Sequence, residues 1–407
     1  SKREDGQYFG AAGALNDGTT KNNDEHFIEA GYSKHIGTHL NVNVTVEGVT
    51  SNGDMKCEIF EAGEKMINGV TNEKNGIESF ASYKISEKFT TVLGFVSERH
   101  KQYDVITIQN FDALTYAPLG SMIDMSNTAS TFAPDVTRNM WAGYINNLYD
   151  ITNDLRLTVG ARYDSYSDFG SNFAPRGGIS WQIDNDNIFK IMYGEGFRTP
   201  TFAESYNVSM VLNGNSDLKP EKVLTYEASF ENSSLENLST KITYFHNSFK
   251  DLIVKDGNIY INSGKVKTQG VEIEGKYDLN RGSYVKANYT YQKAKDEITD
   301  MSLPNIATHK GNIFFNYKIN KYLNSFNHIF FKGETKRAFG DTRDDVSGYA
   351  VFDTSLRIKK LYENFELKAS INNLFDKKAY DPSSIGLTQD DYQIVGRNFM
   401  LEAKYTF

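Results

Sequence analysis

The sequence contains a single cysteine, Cys57, among its 407 residues. No disulfide can therefore form within the chain, and a metal cluster built from several cysteines is excluded. Positive charge is also in short supply, because 44 lysines and arginines face 52 aspartates and glutamates and leave a net charge of −8. A nucleic-acid-binding surface requires a basic patch, so we expect no nucleic-acid partner.

Long apolar runs are absent too. No stretch of the sequence approaches the ~20 apolar residues that a membrane helix requires, and the mean hydropathy is −0.51. The opening letters, SKREDGQYFG, begin with charged residues and lack the apolar core of a secretory signal peptide. They resemble the interior of a longer sequence, and we expect the natural protein to extend further upstream.

The chain is longer than one ordinary globular core, so two or more domains would be the usual expectation. A large closed sheet with a polar interior is the exception to that rule. The composition favours this exception, because 25 tyrosines and 27 phenylalanines are accompanied by only seven prolines.

Alternation of apolar and polar residues is the dominant pattern. In DLRLTVGARYDSY (154–166), every second residue from Leu155 to Tyr163 is apolar or aromatic. A period of two places all of these side chains on one face of a β-strand. The same period recurs in LNVNVTVEG (40–48), in FELKASINN (365–373) and in FMLEAKYTF (399–407).

The predicted strands are joined by short and long connections in nearly strict alternation, with one further brief connection at 166–172. The predicted short turns lie near 33–38, 85–88, 150–154, 183–187, 231–237, 278–283, 319–321 and 360–364. The predicted long connections are 49–74, 101–137, 199–222, 249–265, 294–305, 335–347 and 376–394.

A meander with short turns at one end and long loops at the other is typical of outer-membrane barrels. The pattern gives about 18 strands of about 9–14 residues, long enough to cross a bilayer at a tilt. The alternative is a large soluble β-protein, such as a propeller or a multi-domain sandwich. A propeller would show a repeat of about 40–50 residues, and we find none. We therefore predict an all-β protein, a transmembrane antiparallel up-and-down β-barrel over residues 1–407, with short periplasmic turns and long extracellular loops.

One strand ends abruptly at Pro200, which has no N–H to offer a β-ladder. The surrounding GFRTPTFAESY (196–206) and the later GNSDLKPE (214–221) resemble the paired signature of TonB-dependent outer-membrane receptors. Further fragments agree with that family in the order in which it shows them. They are SNFAPRGGISW (171–181), VKTQGVEIEGKY (266–277), LPNIATHKGNIFFNY (303–317), ASINNLFDKKAYDP (369–382) and GRNFMLEAKYTF (396–407).

The resemblance implies a monomeric barrel of about 22 strands, filled by an N-terminal plug, in the outer membrane of a Gram-negative bacterium. The chain would then be the C-terminal barrel portion, without the plug and roughly four strands. Its surroundings would be the lipid bilayer and lipopolysaccharide. Its energy would come from the TonB–ExbB–ExbD complex of the inner membrane.

The implied function is active uptake of a scarce metal chelate, most of all a ferric siderophore, with no enzyme activity and no resident cofactor. A passive porin is the rival from outside the family. Receptors for cobalamin or haem are the rivals within it. Loops determine which cargo is bound, so the strand sequences do not identify the cargo.

Three residues around Pro200 are candidates for contact with cargo: Arg198, Glu204 and Tyr206. The first two can equally form a salt bridge that holds the loop, and we favour that interpretation. Among relatives, haem receptors resemble this region most, but residues 201–214 contain no histidine. Only Tyr206 and Met210 remain there as iron ligands, so we predict no haem binding through this loop.

We assign no metal site from the sequence. Asp341, Asp344 and Asp345 form an acidic cluster that suits calcium by its chemistry but lacks the spacing of a known calcium loop. We therefore expect a solvated acidic loop. No role is assigned to Cys57.

Overall fold

The computed structural model describes residues 2–6, 20–59, 64–112, 117–208, 213–280, 282–362, 364–383 and 390–406. Within these ranges, 19 strands form one sheet and two more strands pair only with each other. The single helix of these ranges, α1, covers Phe202–Tyr206. None of their helices is long and apolar enough to span a membrane.

The strand bounds follow the chain in order. They are β1 Lys2–Gly6, β2 Thr20–Ile36, β3 Leu40–Ile59, β4 Glu64–Ser86, β5 Phe89–Phe111, β6 Pro118–Asp124, β7 Val136–Asp150, β8 Leu155–Tyr166, β9 Gly170–Gln182, β10 Asn187–Arg198, β11 Glu221–Leu235, β12 Leu238–Asp256, β13 Ile259–Asn280, β14 Ser283–Asp296, β15 His309–Lys318, β16 Leu323–Lys332, β17 Tyr349–Tyr362, β18 Phe365–Asn372, β19 Tyr380–Asp381, β20 Tyr392–Gln393 and β21 Asn398–Tyr405.

The large sheet is an antiparallel meander. Almost every strand pairs with its neighbours along the chain, and β21 closes the series against β18. The exception is β6, a short return strand, so that β5 pairs with both β6 and β7. The prediction of an all-β, up-and-down antiparallel sheet is confirmed, with 19 strands where about 18 were expected.

All eight predicted short turns are present, and each joins its two strands through two to four residues. Three of them contain a residue with positive φ: Gly37 at 62°, Gly282 at 88° and Asn237 at 64°. Tight hairpins need this left-handed backbone, which glycine and asparagine adopt at low cost.

Three of the predicted long connections are wrong in part. In 101–137 the β4–β5 ladder continues as far as Gln109 opposite Met66, and β6 lies further along. The β3–β4 ladder continues through 49–74, from Thr50 opposite Glu73 to Ile59 opposite Glu64. The β12–β13 ladder likewise continues into 249–265, ending at Asp256 opposite Ile259. The extension in 49–74 is mostly polar on both faces, whereas the extension in 249–265 has consecutive apolar residues, 252–254 and 259–261, so neither shows alternation. The backbone can still pair there, because ladder hydrogen bonds do not depend on the side-chain pattern. Cys57 lies in the extension within 49–74, opposite Met66.

The two faces of the sheet differ in polarity. Large apolar side chains are exposed on one face, among them Ile179, Trp181, Ile191 and Tyr226. The alternate positions carry polar or small residues. An exposed apolar face of this extent is not expected of a soluble monomer.

Buried apolar residues are correspondingly few. Val96, Met140 and Ala142 form a small buried cluster on the polar face, and Tyr144 and Tyr166 pack against it. This cluster lies across β5, β7 and β8, so it joins neighbouring strands and is not a central core.

Tyr144 also crosses the polar face of the sheet. Its ring lies over Gly94 of β5, where an added Cβ would overlap the ring atoms. Its hydroxyl donates a hydrogen bond to Glu78 Oε1 at 2.9 Å. The absence of a side chain at Gly94 therefore lets Tyr144 of β7 cross β5 and reach β4.

Candidate functional site

The candidate site lies in the connection 199–220, between β10 and β11. Pro200 is fully buried at the start of this connection, and Thr201 follows it as the N-cap of α1. The Thr201 N–H donates to Glu204 Oε2 at 2.8 Å, and the Glu204 N–H donates to Thr201 Oγ1 at 3.1 Å. This capping box fixes a helix that is too short to be stable by itself.

The structure brings two predicted binding residues, Arg198 and Glu204, into direct contact. Arg198 Nη1 and Nη2 each donate to a Glu204 oxygen at 2.9 Å. Arg198 Nε donates to Glu221 Oε2 at 2.5 Å. The other Glu221 oxygen accepts from the backbone N–H of Ile253 at 2.8 Å. One guanidinium therefore joins the loop to β10, β11 and β12, which is the loop-holding role that the sequence favoured.

This ion pair affects the acidity of the loop. Burial raises the pKa of Glu204, but hydrogen bonds from Arg198 and Thr201 outweigh it, so the net pKa lies below the ordinary value of 4.5. Glu204 is therefore ionised at neutral pH. Arg198 keeps 44% of its side chain exposed, so part of the guanidinium still faces solvent.

A second arginine, Arg138 at the start of β7, holds the same loop from the other side. Its Nε donates to Asp168 Oδ2 at 2.8 Å, and its Nη1 donates to the Pro200 carbonyl at 2.8 Å. The rings of Phe169 and Phe202 each lie 4.8 Å from its guanidinium carbon. Only 8% of the side chain is exposed. We use the name Arg138 clamp for the cluster of Arg138, Asp168, Phe169, Pro200, Phe202 and Tyr206.

The third predicted binding residue, Tyr206, belongs to the Arg138 clamp. Its hydroxyl donates to Asp168 Oδ2 at 3.2 Å. Burial raises the pKa of Tyr206, and the Asp168 charge adds to the effect. The hydroxyl is thus protonated and engaged as a donor. Asp168 Oδ1 is buried without a hydrogen-bond partner in the described part of the chain. Met210 lies outside the described residues.

No pattern in the sequence indicated the Arg138 clamp directly. Arg138 stands in an ordinary alternating strand, and its partners are about 30 and 60 residues away along the chain. A buried cation needs an anionic partner and satisfied donors. That rule recognises the cluster only once the fold has placed the residues together.

Neighbouring loops are joined to the candidate site by backbone hydrogen bonds. The Val208 N–H donates to the Phe132 carbonyl at 2.7 Å, and the Asn215 N–H donates to the Glu204 carbonyl at 2.8 Å. Asn215 Nδ2 reaches the Tyr260 carbonyl at 2.9 Å. The Asn213 N–H donates to the Asn258 carbonyl at 2.6 Å, in the turn between β12 and β13. The connections after β6, β10 and β12 are therefore held together as one layer.

The acidic cluster predicted near 341–345 lies in a separate group of loops. Arg343 pairs with Asp341 at 2.6 Å, and its hydrogen bonds lower the pKa of that carboxyl to about 2. The Arg337 guanidinium donates two hydrogen bonds of 2.6 Å to Asp391. The backbone N–H of Arg337 donates to Asp345 Oδ1 at 3.1 Å. No group of three or more potential ligand side chains is arranged for a metal ion in the described ranges.

Comparison with known proteins identifies the family. The TonB dependent receptor-like β-barrel model matches residues 4–374. The iron-regulated outer membrane virulence protein of Vibrio cholerae is 25% identical over 316 residues, which cover 70% of this chain and 47% of that protein. The probable TonB-dependent siderophore receptor PirA of Acinetobacter baumannii is 24% identical over 328 residues, covering 65% of this chain and 42% of that protein.

A solved structure has the same fold. The closed form of the ferric-catecholate import receptor Fiu from E. coli K12 matches 98% of this chain and 66% of its own, with a TM-score of 0.74 and 16% identity. The chain spans about half the length of the curated relatives it matches. In this fold the apolar face of the sheet meets lipid, and the polar face lines the lumen of a barrel. This chain belongs to the TonB-dependent receptor β-barrel family and crosses the outer membrane of a Gram-negative bacterium many times.

Proposed function

We propose that the protein takes up a scarce metal chelate actively, and that the chelate is a ferric siderophore. The match to a receptor-barrel family over residues 4–374 carries this proposal. Chelates of this kind are bulky, and a selective receptor can concentrate them where a passive pore cannot. The TonB–ExbB–ExbD complex would supply the energy.

The layer of extracellular loops over the lumen supports this function. Capture of cargo by loops requires loops with a defined shape, and the connection 199–220 is held from two sides by Arg198 and Arg138. We propose that Arg198, Glu204 and Tyr206 contact the cargo from this layer. Their present hydrogen bonds would then be exchanged, in part, for bonds to the ligand.

We further propose that residues beyond this chain complete the barrel. In the described part of the chain, the ladders of β21, β1 and β2 join β21 to β18, β1 to β2 and β2 to β3, and none joins β21 to β1 or β2. Additional strands would pair with these edges, because unpaired backbone groups cannot remain in lipid. A plug domain in the polar lumen is the accompanying proposal.

The rivals predict different behaviour. A passive porin would allow uptake that is independent of metabolic energy, whereas a receptor requires it. A haem receptor would need an iron ligand near the loops, and Tyr206 already donates to Asp168. A cobalamin receptor would share the energy requirement and differ only in cargo.

The decisive experiment measures uptake of radioactive iron, supplied as hydroxamate and catecholate siderophores, by cells that express the whole protein. We expect uptake of at least one chelate, lost when the proton gradient is collapsed. Arg198→Gln should weaken uptake, while Lys368→Gln, which breaks the Lys368–Glu402 pair on β18 and β21, serves as the matched control. Uptake that persists without the gradient would support a porin instead.

A further inference from the structure

The outer wall of the barrel carries a group of exposed lysines at the loop end of β11–β14. In each of these strands, residues that face lipid alternate with residues that face the lumen, and the lysines continue the lipid-facing set beyond the apolar band. We call this group the outer lysine patch. Its members are Lys222, Lys250, Lys265, Lys267, Lys293 and Lys295, all exposed.

The ladder register shows how the lipid-facing side chains change toward the loops. Two rows closer to the middle of the strands are apolar or aromatic: Phe230–Ile242–Ile273–Tyr289 and Ala228–Tyr244–Val271–Tyr291. The next three rows contain lysines: Tyr226–His246–Gln269–Lys293, Leu224–Ser248–Lys267–Lys295 and Lys222–Lys250. On β12–β14 the wall therefore changes from apolar to polar and basic between one row and the next.

An aromatic cluster lies directly below the outer lysine patch. The rings of Tyr289 and Phe331 stack at 6.2 Å, and the Tyr289 hydroxyl shares a hydrogen bond of 2.6 Å with His309 Nδ1. Aromatic girdles of this kind mark the membrane interfaces of outer-membrane barrels. Lys293 lies two residues beyond Tyr291 on the same face, which is about 7 Å further along the strand. The patch therefore lies at the level of the lipid headgroups in the outer leaflet.

The outer lysine patch contains more positive charge than its own carboxylates neutralise. Lys267 pairs with Glu297, and Lys295 pairs with Asp300 at 2.8 Å. Glu195 of β10 adds one further carboxylate at the edge of the patch. Among the described residues, no carboxylate lies within ion-pair distance of the other four lysines. Lys267 and Lys295 also lie directly opposite each other in the ladder, an arrangement that is unfavourable unless anions are near.

The position of the patch leaves it accessible in the complete barrel. It faces away from the lumen, and β11–β14 each pair with a strand on both sides, so neither a plug nor additional strands would cover it. The charge is also local. At the same end of β7, β8 and β9, the lipid-facing residues Asn139, Ser165 and Ser171 are uncharged. The patch is therefore not a general property of the extracellular rim.

We propose that the outer lysine patch binds the phosphate groups of lipopolysaccharide in the outer leaflet. A lysine ammonium binds phosphate as a compact point charge, and lysines on strands about 5 Å apart can contact more than one phosphate of the same glycolipid. The acyl chains of that glycolipid would lie against the apolar rows below. A soluble anion would make no use of these rows, which favours the lipid. The proposal rests on the place of the barrel in the outer membrane and is independent of the proposed uptake function.

The test is native mass spectrometry of the whole protein, purified in detergent and titrated with diphosphoryl lipid A or with its dephosphorylated form. We expect saturable binding of the phosphorylated lipid and much weaker binding of the dephosphorylated one. Lys250→Gln/Lys293→Gln should weaken binding by roughly twentyfold or more, since each lysine near a charged lipid contributes about fivefold. Lys250→Arg/Lys293→Arg keeps both charges and should retain binding.

The matched control is Lys88→Gln/Lys321→Gln, which removes two exposed lysines from periplasmic turns at the other end of the barrel. We expect it to bind diphosphoryl lipid A as the unaltered protein does. Equal losses in the two double glutamine variants, or no loss in Lys250→Gln/Lys293→Gln, overturn the proposal. Competition by inorganic phosphate at the concentration of the lipid would make the ligand a soluble anion and overturn it too. If the double variant fails to fold, Lys293→Gln alone should weaken binding about fivefold, and unchanged binding by it has the same meaning.

Discussion

Replacing Arg138 by methionine removes the guanidinium at the centre of the Arg138 clamp while keeping an unbranched side chain in place of the apolar stem. Arg138 then loses its hydrogen bonds to Asp168 and to the Pro200 carbonyl. The contacts of its guanidinium with the rings of Phe169 and Phe202 are lost as well. Among the described residues, Asp168 then keeps one hydrogen-bond donor, the Tyr206 hydroxyl at 3.2 Å. Both the aspartate and the carbonyl become poorly satisfied groups.

The size of the effect follows from burial. The Arg138 and Asp168 side chains are only 8% and 14% exposed, so removal of one partner falls in the class of broken buried ion pairs, about 3–5 kcal/mol. Part of this cost is relieved when the loop opens and water reaches Asp168. We therefore expect a local opening of 199–208 that is easier by about 3 kcal/mol, which corresponds to roughly a hundredfold.

Hydrogen exchange followed by mass spectrometry measures this opening directly. In Arg138→Met, the peptide over 199–208 should exchange roughly a hundredfold faster, while peptides from the middle of β10 and β11 stay unchanged. The double variant Arg138→Met/Asp168→Asn should recover much of the protection, because it removes the unpaired buried charge as well.

The matched control is Arg156→Met. Arg156 pairs with Asp150 at 2.5 Å at the opposite end of the same two strands. Arg156→Met should leave the hydrogen exchange of the 199–208 peptide unchanged. Equal acceleration in both single variants would show that the loop responds to general loss of barrel stability, and the reasoning from the Arg138 clamp would be refuted. Unchanged exchange in Arg138→Met would refute it too.

Three further predictions concern other contacts. Because the pKa of Glu204 is lowered by folding, its contribution to loop stability is complete above the ordinary value of 4.5 and is lost as pH falls through the folded pKa. Exchange of 199–208, corrected for the intrinsic rate, should therefore rise at acidic pH, and Glu204→Gln should weaken that dependence, leaving the part that comes from Glu221, whose pKa the Arg198 hydrogen bond also lowers. Arg337→Met should raise exchange in both loops that it joins by roughly tenfold or more, since it breaks two hydrogen bonds to Asp391; unchanged exchange around Asp391 would contradict this. Gly94→Ala should lower barrel stability by about 1–3 kcal/mol through overlap with Tyr144, seen as a lower temperature of the heat-dependent shift in gel mobility, and Tyr144→Ala in the same chain should restore part of the loss.

The sequence by itself determined the architecture. The alternation from Leu155 to Tyr163 assigns each residue to the lipid or the lumen face without reference to any other strand, because the period of a strand is a local property. Pro200 ends its strand for an equally local reason, the missing N–H. The short turns were predictable since they are polar and interrupt the alternation at both ends.

Strand length beyond the apolar band was not determined in this way. Polar residues occupy most of both faces in 49–74, and apolar residues follow one another in 249–265, so the alternation that marked the other strands disappears although the ladder continues. Backbone hydrogen bonds hold these extensions, and they leave no trace in the order of side chains.

Only the tertiary structure decided which side chains meet. Arg138 lies on β7 and Phe202 in α1, and the hydrogen bond from Arg176 to Asn146 requires β7, β8 and β9 to be in one register. A shift of one residue in either ladder would turn these groups toward lipid. The register is set jointly by turns and by every neighbouring strand, so no single segment of the sequence contains it.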